Sequence, residues 1–163
     1  MLVLGIDPGL ASTGYGLVAS RNQCLSLVGY GVLETSPKLS LGHRLQHLYH
    51  ELSGIIEQAH PEAVIVEELF FSRNVRTAMI VGQARGVVLL AAAEAELPLF
   101  EYAPLQIKSA MVGYGRATKA QVQEMVRLLL GMDSRPRPDH AADALAAAIC
   151  HIHSARLETL LSS

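Results

Sequence analysis

Leu2-Val-Leu-Gly-Ile-Asp-Pro-Gly9, running on to Thr13-Gly-Tyr-Gly16, is the stretch from which the fold of this chain is read. Three aliphatic residues and Ile6 make a short buried strand, and an acidic side chain, Asp7, stands at its end. Pro8 and Gly9 break the strand, and small residues lead into a second apolar run over 15–19. The pattern is strand, charged edge, tight turn, strand. A carboxylate placed there is held on rigid backbone, where it can serve a metal ion or a phosphate. Its plainer role is an Asx-type turn with Pro8 and Gly9. This segment alone leaves the two roles level.

Working outward, residues 25–33 form a third strand, so the chain opens with an antiparallel meander. The period then changes. Leu41, Leu45, Leu48, Leu52, Ile55 and Ala59 alternate spacings of four and three, with Ser40 as N-cap and Pro61 as the stop. Ala63-Val-Ile-Val66 is a continuous apolar run, expected as a strand buried on both faces, and it ends in Glu67-Glu68. A long helix follows over 74–97, apolar on nearly every face between Val87 and Ala93. Such a helix needs cover on two sides. A second copy of the chain is the expected cover, with Gly82 and Gly86 allowing close approach. Residues 99–102 give a fifth strand and 104–108 a brief helix, followed by a loop at 113–116. Thr118-Lys-Ala-Gln121 has the form of a capping box and opens a helix through residue 130. Arg135-Pro-Arg-Pro138 is extended, and the last helix runs over about 139–153. Three early strands followed by alternating helix and strand indicate an α/β fold with a mixed sheet.

At 163 residues, half of them apolar and 17% charged, one domain with a sizeable core is expected over 1–163. Asp7 interrupts the only early apolar run, so no signal peptide is expected. The longest apolar stretch, 86–93, falls short of the ~20 residues that span a bilayer, so no membrane association is expected. Cys24 and Cys150 lack metal-ligand spacing and are expected to be buried thiols of a reduced, cytoplasmic protein. The net charge of −2 hides an asymmetry: residues 73–137 carry nine Lys/Arg against five Asp/Glu, whereas 1–72 carry three against seven. A basic middle between acidic ends suits phosphates beside metal ions.

Asp7, Glu67 or Glu68, and the 139–143 segment each stand where an apolar element begins or ends. If the first and fourth strands are parallel neighbours, their carboxyl ends adjoin, where open α/β sheets place ligands. Asp143 lies three residues after His140 and four after Asp139, so all three can project from one helix face. Asp139 serves equally as an N-cap. Oxygen-rich ligands converging at a sheet edge suit Mg²⁺ or Mn²⁺, and paired ions of that kind serve phosphodiester hydrolysis.

Taken together, Gly5-Ile-Asp-Pro-Gly9, Thr13-Gly-Tyr-Gly16, Val66-Glu-Glu-Leu-Phe70, Gly82-Gln-Ala-Arg-Gly86, Pro98-Leu-Phe-Glu-Tyr102, Val112-Gly-Tyr-Gly115 and Ala141-Ala-Asp-Ala-Leu145 closely resemble the RuvC family. These are bacterial Holliday junction resolvases, dimeric endonucleases with a ribonuclease H-like fold. The resemblance implies that fold, with a five-stranded mixed sheet and helices on both faces. It implies junction cleavage by paired symmetric nicks and two Mg²⁺ or Mn²⁺ ions per subunit. Asp7, Glu67 and Asp143 match three of the family's four metal-binding catalytic residues, and Glu67 rather than Glu68 is the matching glutamate. The fourth position is His140, where many members carry aspartate; an imidazole suits Mn²⁺ better than Mg²⁺. Lys108 and Lys119 match lysines the family needs for activity, and Phe70 an aromatic residue directed at the junction's bases. Arg73, Asn74, Arg76, Gln83, Arg85 and Arg116 are the expected DNA-binding residues, several of them alternatively at the dimer seam. RuvA and RuvB are the partners the family implies. Two rivals have their own signatures. Gly5-Ile-Asp-Pro-Gly9 is also similar to the first phosphate loop of actin-like ATPases and sugar kinases, but the chain lacks their second Asp-Gly loop. A junction-binding scaffold with idle acids is the other.

Overall fold

The computed structural model describes residues 1–68 and 74–161. Five strands form one sheet: β1 (Leu2–Asp7), β2 (Ser12–Arg21), β3 (Cys24–Glu34), β4 (Ala63–Glu67) and β5 (Leu99–Tyr102). Their order across the sheet is β3-β2-β1-β4-β5. The opening meander is antiparallel, whereas β1–β4 and β4–β5 are parallel, so the sheet is mixed as expected. Five helices connect and cover it: α1 (Leu41–Ala59), α2 (Val75–Glu94), α3 (Pro104–Val112), α4 (Lys119–Leu129) and α5 (Asp139–Leu161).

The central strands sort their side chains between two cores by simple alternation. Leu4 and Ile6 of β1, with Val64 and Val66 of β4, face Leu48, Leu52 and Ile56 of α1 and Ala84, Val88, Ala91 and Ala92 of α2. Val3, Ala63 and Ile65 point the other way, into Leu145, Ala148 and Ile149 of α5, with Ile107, Met111, Val122 and Val126 of α3 and α4 behind it. Helices therefore lie on both faces. Ser40 caps α1 as its position predicts, its Oγ accepting from the His43 N–H, and the stop comes at His60, just before Pro61. Thr118 and Gln121 form the expected capping box on α4.

Three helix ends differ from the sequence reading by three residues or more. α2 ends at Glu94, three residues short of the periodic signal. α3 continues past Lys108 to Val112, where Gly113 at φ 87° supplies the left-handed turn that closes it. α5 continues past His153 to Leu161. One burial expectation also fails: Cys24 is exposed, because it begins β3 at the sheet's edge, while Cys150 is buried in α5. Among the described residues α2 alone is long and apolar enough to cross a membrane, but Ala84, Val88, Ala91 and Ala92 seat it in the α1 layer of the core. Its opposite face leaves Val75, Met79, Leu89 and Leu90 exposed, Leu90 at 51%.

Candidate active site

Strands β1 and β4 are in register from Val3↔Ala63 to Ile6↔Val66, so Asp7 and Glu67 are the next residues on each, side by side at the carboxyl ends. Alternation puts Asp7 on the face of Val3 and Gly5, and Glu67 on the face of Ala63 and Ile65. That face belongs to α5. Glu68 follows the last residue of β4 and is exposed, and it does not line the cavity that Glu67 lines; its N–H donates to the Tyr102 carbonyl at 2.8 Å.

Helix α5 is laid unusually close to the sheet, and glycines make room for it. A Cβ on Gly5 would sit 2.0 Å from the Ala144 carbonyl oxygen, and one on Gly14 would sit 2.0 Å from that of His140. Gly14 is also the cross-strand partner of Asp7. With backbone against backbone, the first turns of α5 deliver His140 and Asp143 to the ends of β1 and β4. His140 Nδ1 lies 2.6 Å from Asp7 Oδ2. Asp7 therefore does not close the turn that follows it. Thr13 does, donating through Oγ1 to the Gly9 carbonyl at 2.6 Å and accepting from the Gly9 N–H at 3.2 Å.

Lys119, the first residue of α4, completes the group. Its ammonium lies 2.9 Å from Asp143 Oδ2 and 3.4 Å from Asp139 Oδ2. Asp139 also accepts from Gln123 Nε2 at 2.9 Å, which ties the start of α5 to α4. Glu67, Lys108, Lys119 and Asp143 line one cavity of about 200 Å³, with Pro104, Ile107, Val122 and Ala146 as its apolar wall.

The charges there are held under tension. Burial raises the Asp7 carboxyl above its usual range, with the hydrogen bond and charge of His140 opposing and Asp143 adding to the rise. Burial first, and then the charges of Asp7 and Asp143, push Glu67 up to about 7 against the pull of Lys108 and Lys119. Burial by itself would lower the Lys119 ammonium, but its pairing with Asp143 and Asp139 outweighs that and raises it. Two carboxyls whose charged forms are disfavoured by burial, Asp7 and Glu67, are chemically suited to a hard divalent cation. The donors fit such an ion: carboxylate oxygens from Asp7, Glu67 and Asp143 and an imidazole from His140. Among the described residues no three of these side chains close into a preformed cage, since Asp7 is engaged with His140 and Asp143 with Lys119.

The expected DNA-binding residues fare differently. Asn74 caps α2, its Oδ1 accepting from the N–H groups of Arg76 and Thr77. Arg76 and Gln83 are exposed on α2, and Arg116 is exposed in the loop before α4. Arg85 is turned inward, donating to the Glu67 carbonyl at 3.1 Å and pairing with Glu101. Phe70 and Arg73 lie outside the described residues. Sequence reasoning missed the part played by Gly5 and Gly14 against α5, although glycines inside an apolar strand signal close backbone approach. It also missed Glu101, for which a lone acid in a short strand gives no signal.

A sheet of order β3-β2-β1-β4-β5 with acids at the adjoining ends of β1 and β4, and a final helix supplying the rest, defines a nuclease of the ribonuclease H-like fold. The family model for "Crossover junction endodeoxyribonuclease RuvC" matches residues 3–151, and the chain belongs to the RuvC family, whose members are divalent-metal-dependent nucleases. A relative of that description from Desulfitobacterium hafniense (strain DSM 10664 / DCB-2) is 55% identical over 157 residues, covering 96% of this chain and 95% of its own. The counterpart from Roseiflexus sp. (strain RS-1) is 57% identical over 152 residues, 93% and 90% of the two chains. The structure of T. thermophilus RuvC in complex with Holliday junction substrate superposes with a TM-score of 0.93. It is 42% identical, over 98% of this chain and 97% of that one.

Proposed function

We propose that this chain is a divalent-metal-dependent endonuclease that resolves four-way (Holliday) DNA junctions by paired symmetric nicks in recombination and repair. The observation that carries the reading is the meeting of Asp7 and Glu67 on one face of the sheet with His140 and Asp143 of α5, beside Lys108 and Lys119. Asp7, Glu67, His140 and Asp143 would hold Mg²⁺ or Mn²⁺, two ions per subunit. When bound, such ions activate a water and stabilise the leaving oxygen of a phosphodiester, leaving 5′-phosphate and 3′-hydroxyl ends. His140 in place of a fourth carboxylate favours Mn²⁺.

The chain's own groups account for the remainder. Asp7 stands on a central strand, where it orients the His140 ring through Nδ1 and leaves the second ring nitrogen for a ligand. Lys119 at the start of α4 adds its ammonium to a helix N-terminus, so a phosphate entering the cavity meets two sources of positive potential. Lys108 lines the same cavity from α3. Arg76, Gln83 and Arg116 are exposed and available to the flanking backbone of DNA. The family resemblance assigns Phe70 a stacking face toward the bases and Arg73 a DNA contact.

The exposed face of α2 supports a homodimer. Its exposed Val75, Met79, Leu89 and Leu90 flank Gly82 and Gly86, beside which a Cβ would meet nothing within 4 Å. Two-fold pairing there presents two sites to two strands of like polarity, as paired nicks require. RuvA and RuvB as partners, and a cytoplasmic setting, complete the reading. The test is cleavage of a labelled four-way junction beside linear duplex, with Mg²⁺, Mn²⁺ or EDTA. Paired nicks on the junction with metal and none with EDTA are expected; an intact junction with either metal refutes the reading.

A further inference from the structure

Arg85 is the one charged side chain of α2 that turns into the fold beside the acids, and it is only 11% exposed. Its guanidinium bridges two elements. Nη1 donates to the backbone carbonyl of Glu67 at 3.1 Å, and Nη2 pairs with Oε1 of Glu101. Glu101 is the register partner of Val66, so Arg85 spans the ends of β4 and β5 from the α2 side. The other side of the same peptide is fixed as well, because the Glu68 N–H donates to the Tyr102 carbonyl of β5 at 2.8 Å. Glu67 thus sits at the last residue of its strand with its carbonyl held by Arg85 and its following N–H held by β5. Its side chain carries the opposite requirement: it projects to the α5 face and must stay buried near Asp7 and Asp143, whose charges repel it.

A carboxylate under that repulsion would swing away wherever its backbone were free to rotate. We propose that Arg85 is a positioning residue, clamping the carboxyl end of β4 so that Glu67 is held among the acids. The inference rests on the metal-dependent nuclease reading above. The chemistry favours arginine specifically. A planar fork with several donors can satisfy a carbonyl and a carboxylate at once without rotating, whereas an ammonium on a flexible stem cannot hold both in a fixed geometry. Groups that orient metal-binding side chains in this way typically contribute about 10–100-fold to metal affinity or activity.

The experiment compares wild type, Arg85→Met and Arg85→Lys as full-length chains. Mn²⁺ is titrated calorimetrically into metal-free protein, and junction affinity is measured in EDTA. Cleavage is followed at saturating junction, and unfolding temperature is recorded. Arg85→Met is expected to weaken Mn²⁺ binding by about 10-fold or more, with a matching loss of kcat. Arg85→Lys should restore part of both, and junction affinity should stay within about 2-fold because the guanidinium is engaged inside the fold by the Glu67 carbonyl and Glu101. A lower unfolding temperature with unchanged Mn²⁺ affinity would mean that Arg85 only packs, and overturns the clamp. So does weakened junction binding with intact Mn²⁺ affinity, which would make Arg85 a DNA contact. Should Arg85→Met not fold, Arg85→Lys decides, and unchanged Mn²⁺ affinity there overturns the proposal. A wild type that takes up no Mn²⁺ overturns the functional reading along with the clamp. A wild type that binds Mn²⁺ beside an unaffected Arg85→Met overturns the clamp alone.

Discussion

Replacing Gly14 by alanine adds a single methyl group where α5 rests on β2, and its consequences can be worked from the geometry. The new Cβ would stand 2.0 Å from the His140 carbonyl oxygen, 2.2 Å from its carbon and 2.8 Å from the Ala141 nitrogen. All three are backbone atoms, so no rotamer change relieves the clash. Real Cβ atoms keep at least 3.0 Å from such neighbours, which requires the strand and the helix to part by about 1 Å. Overpacking of this kind costs about 1–3 kcal/mol, and a clash with helix backbone belongs at the upper end. The functional cost is larger. The helix turn that must retreat carries His140 and Asp143, while Asp7, opposite Gly14 in the ladder, stays on the sheet. A misplacement of about 1 Å at reacting groups costs about 100-fold in rate. Single-turnover cleavage of labelled junction at saturating enzyme with Mn²⁺, beside a thermal melt, measures both effects. Gly54→Ala is the control: it lies inside α1 with open space around its Cβ, and should gain about 0.5–1 kcal/mol with unchanged cleavage. Wild-type cleavage by Gly14→Ala, whatever its melting temperature, would refute the argument that this contact sets the site.

Three further outcomes are expected. In the metal-free protein Glu67, with its carboxyl raised to about 7 from an unfolded value of 4.5, contributes stability below pH 4.5 that is lost as the pH climbs through 7. Glu67→Gln, which never ionises, should therefore melt higher than wild type at pH 8 by the equivalent of about 1 kcal/mol after discounting for solvent, with the gain shrinking as the pH falls and vanishing below the unfolded value of 4.5. Equal melting at pH 8 would show that the charge repulsion is relieved in some other way. His140→Asp should raise the ratio of Mg²⁺-supported to Mn²⁺-supported cleavage, because it replaces an imidazole by a harder oxygen donor; an unchanged ratio counts against ligation by His140. Leu90→Glu changes an exposed residue and should leave the monomer's stability within about 0.5 kcal/mol while driving the dimer apart in sedimentation. A dimer that persists at low micromolar concentration would place the two-fold seam off this face of α2.

The order of elements was legible in the sequence because each is written in local periodicity and local caps. Short apolar runs ended by turn residues or acids marked the strands, the three-and-four spacing of Leu41 to Ala59 marked α1, and Ser40 and Thr118 marked their own helix starts. The acids were legible for a related reason: Asp7 and Asp143 interrupt apolar or alanine-rich runs where an unpaired charge would be costly. The length of α5 was not: beyond His153 the helix exposes Leu157 and Leu161, so no buried apolar face marks those turns in the sequence.

Other features depended on which face met which. Glu67 and Glu68 are chemically the same and adjacent; local pattern leaves them level, the family resemblance picks out Glu67, and the fold places Glu67 in the cavity with Asp143. Arg85 reads as a surface cation until β4 and β5 bring a carbonyl and Glu101 within reach of its fork. Gly14 reads as a turn residue until the His140 carbonyl arrives opposite it from the far end of the chain. The sequence by itself determined the elements, the acid at the end of β1 and the alanine-rich helix able to approach it. The tertiary structure alone decided the partners of those groups, because a contact between residues more than a hundred positions apart is set by register and helix docking, which no local pattern encodes.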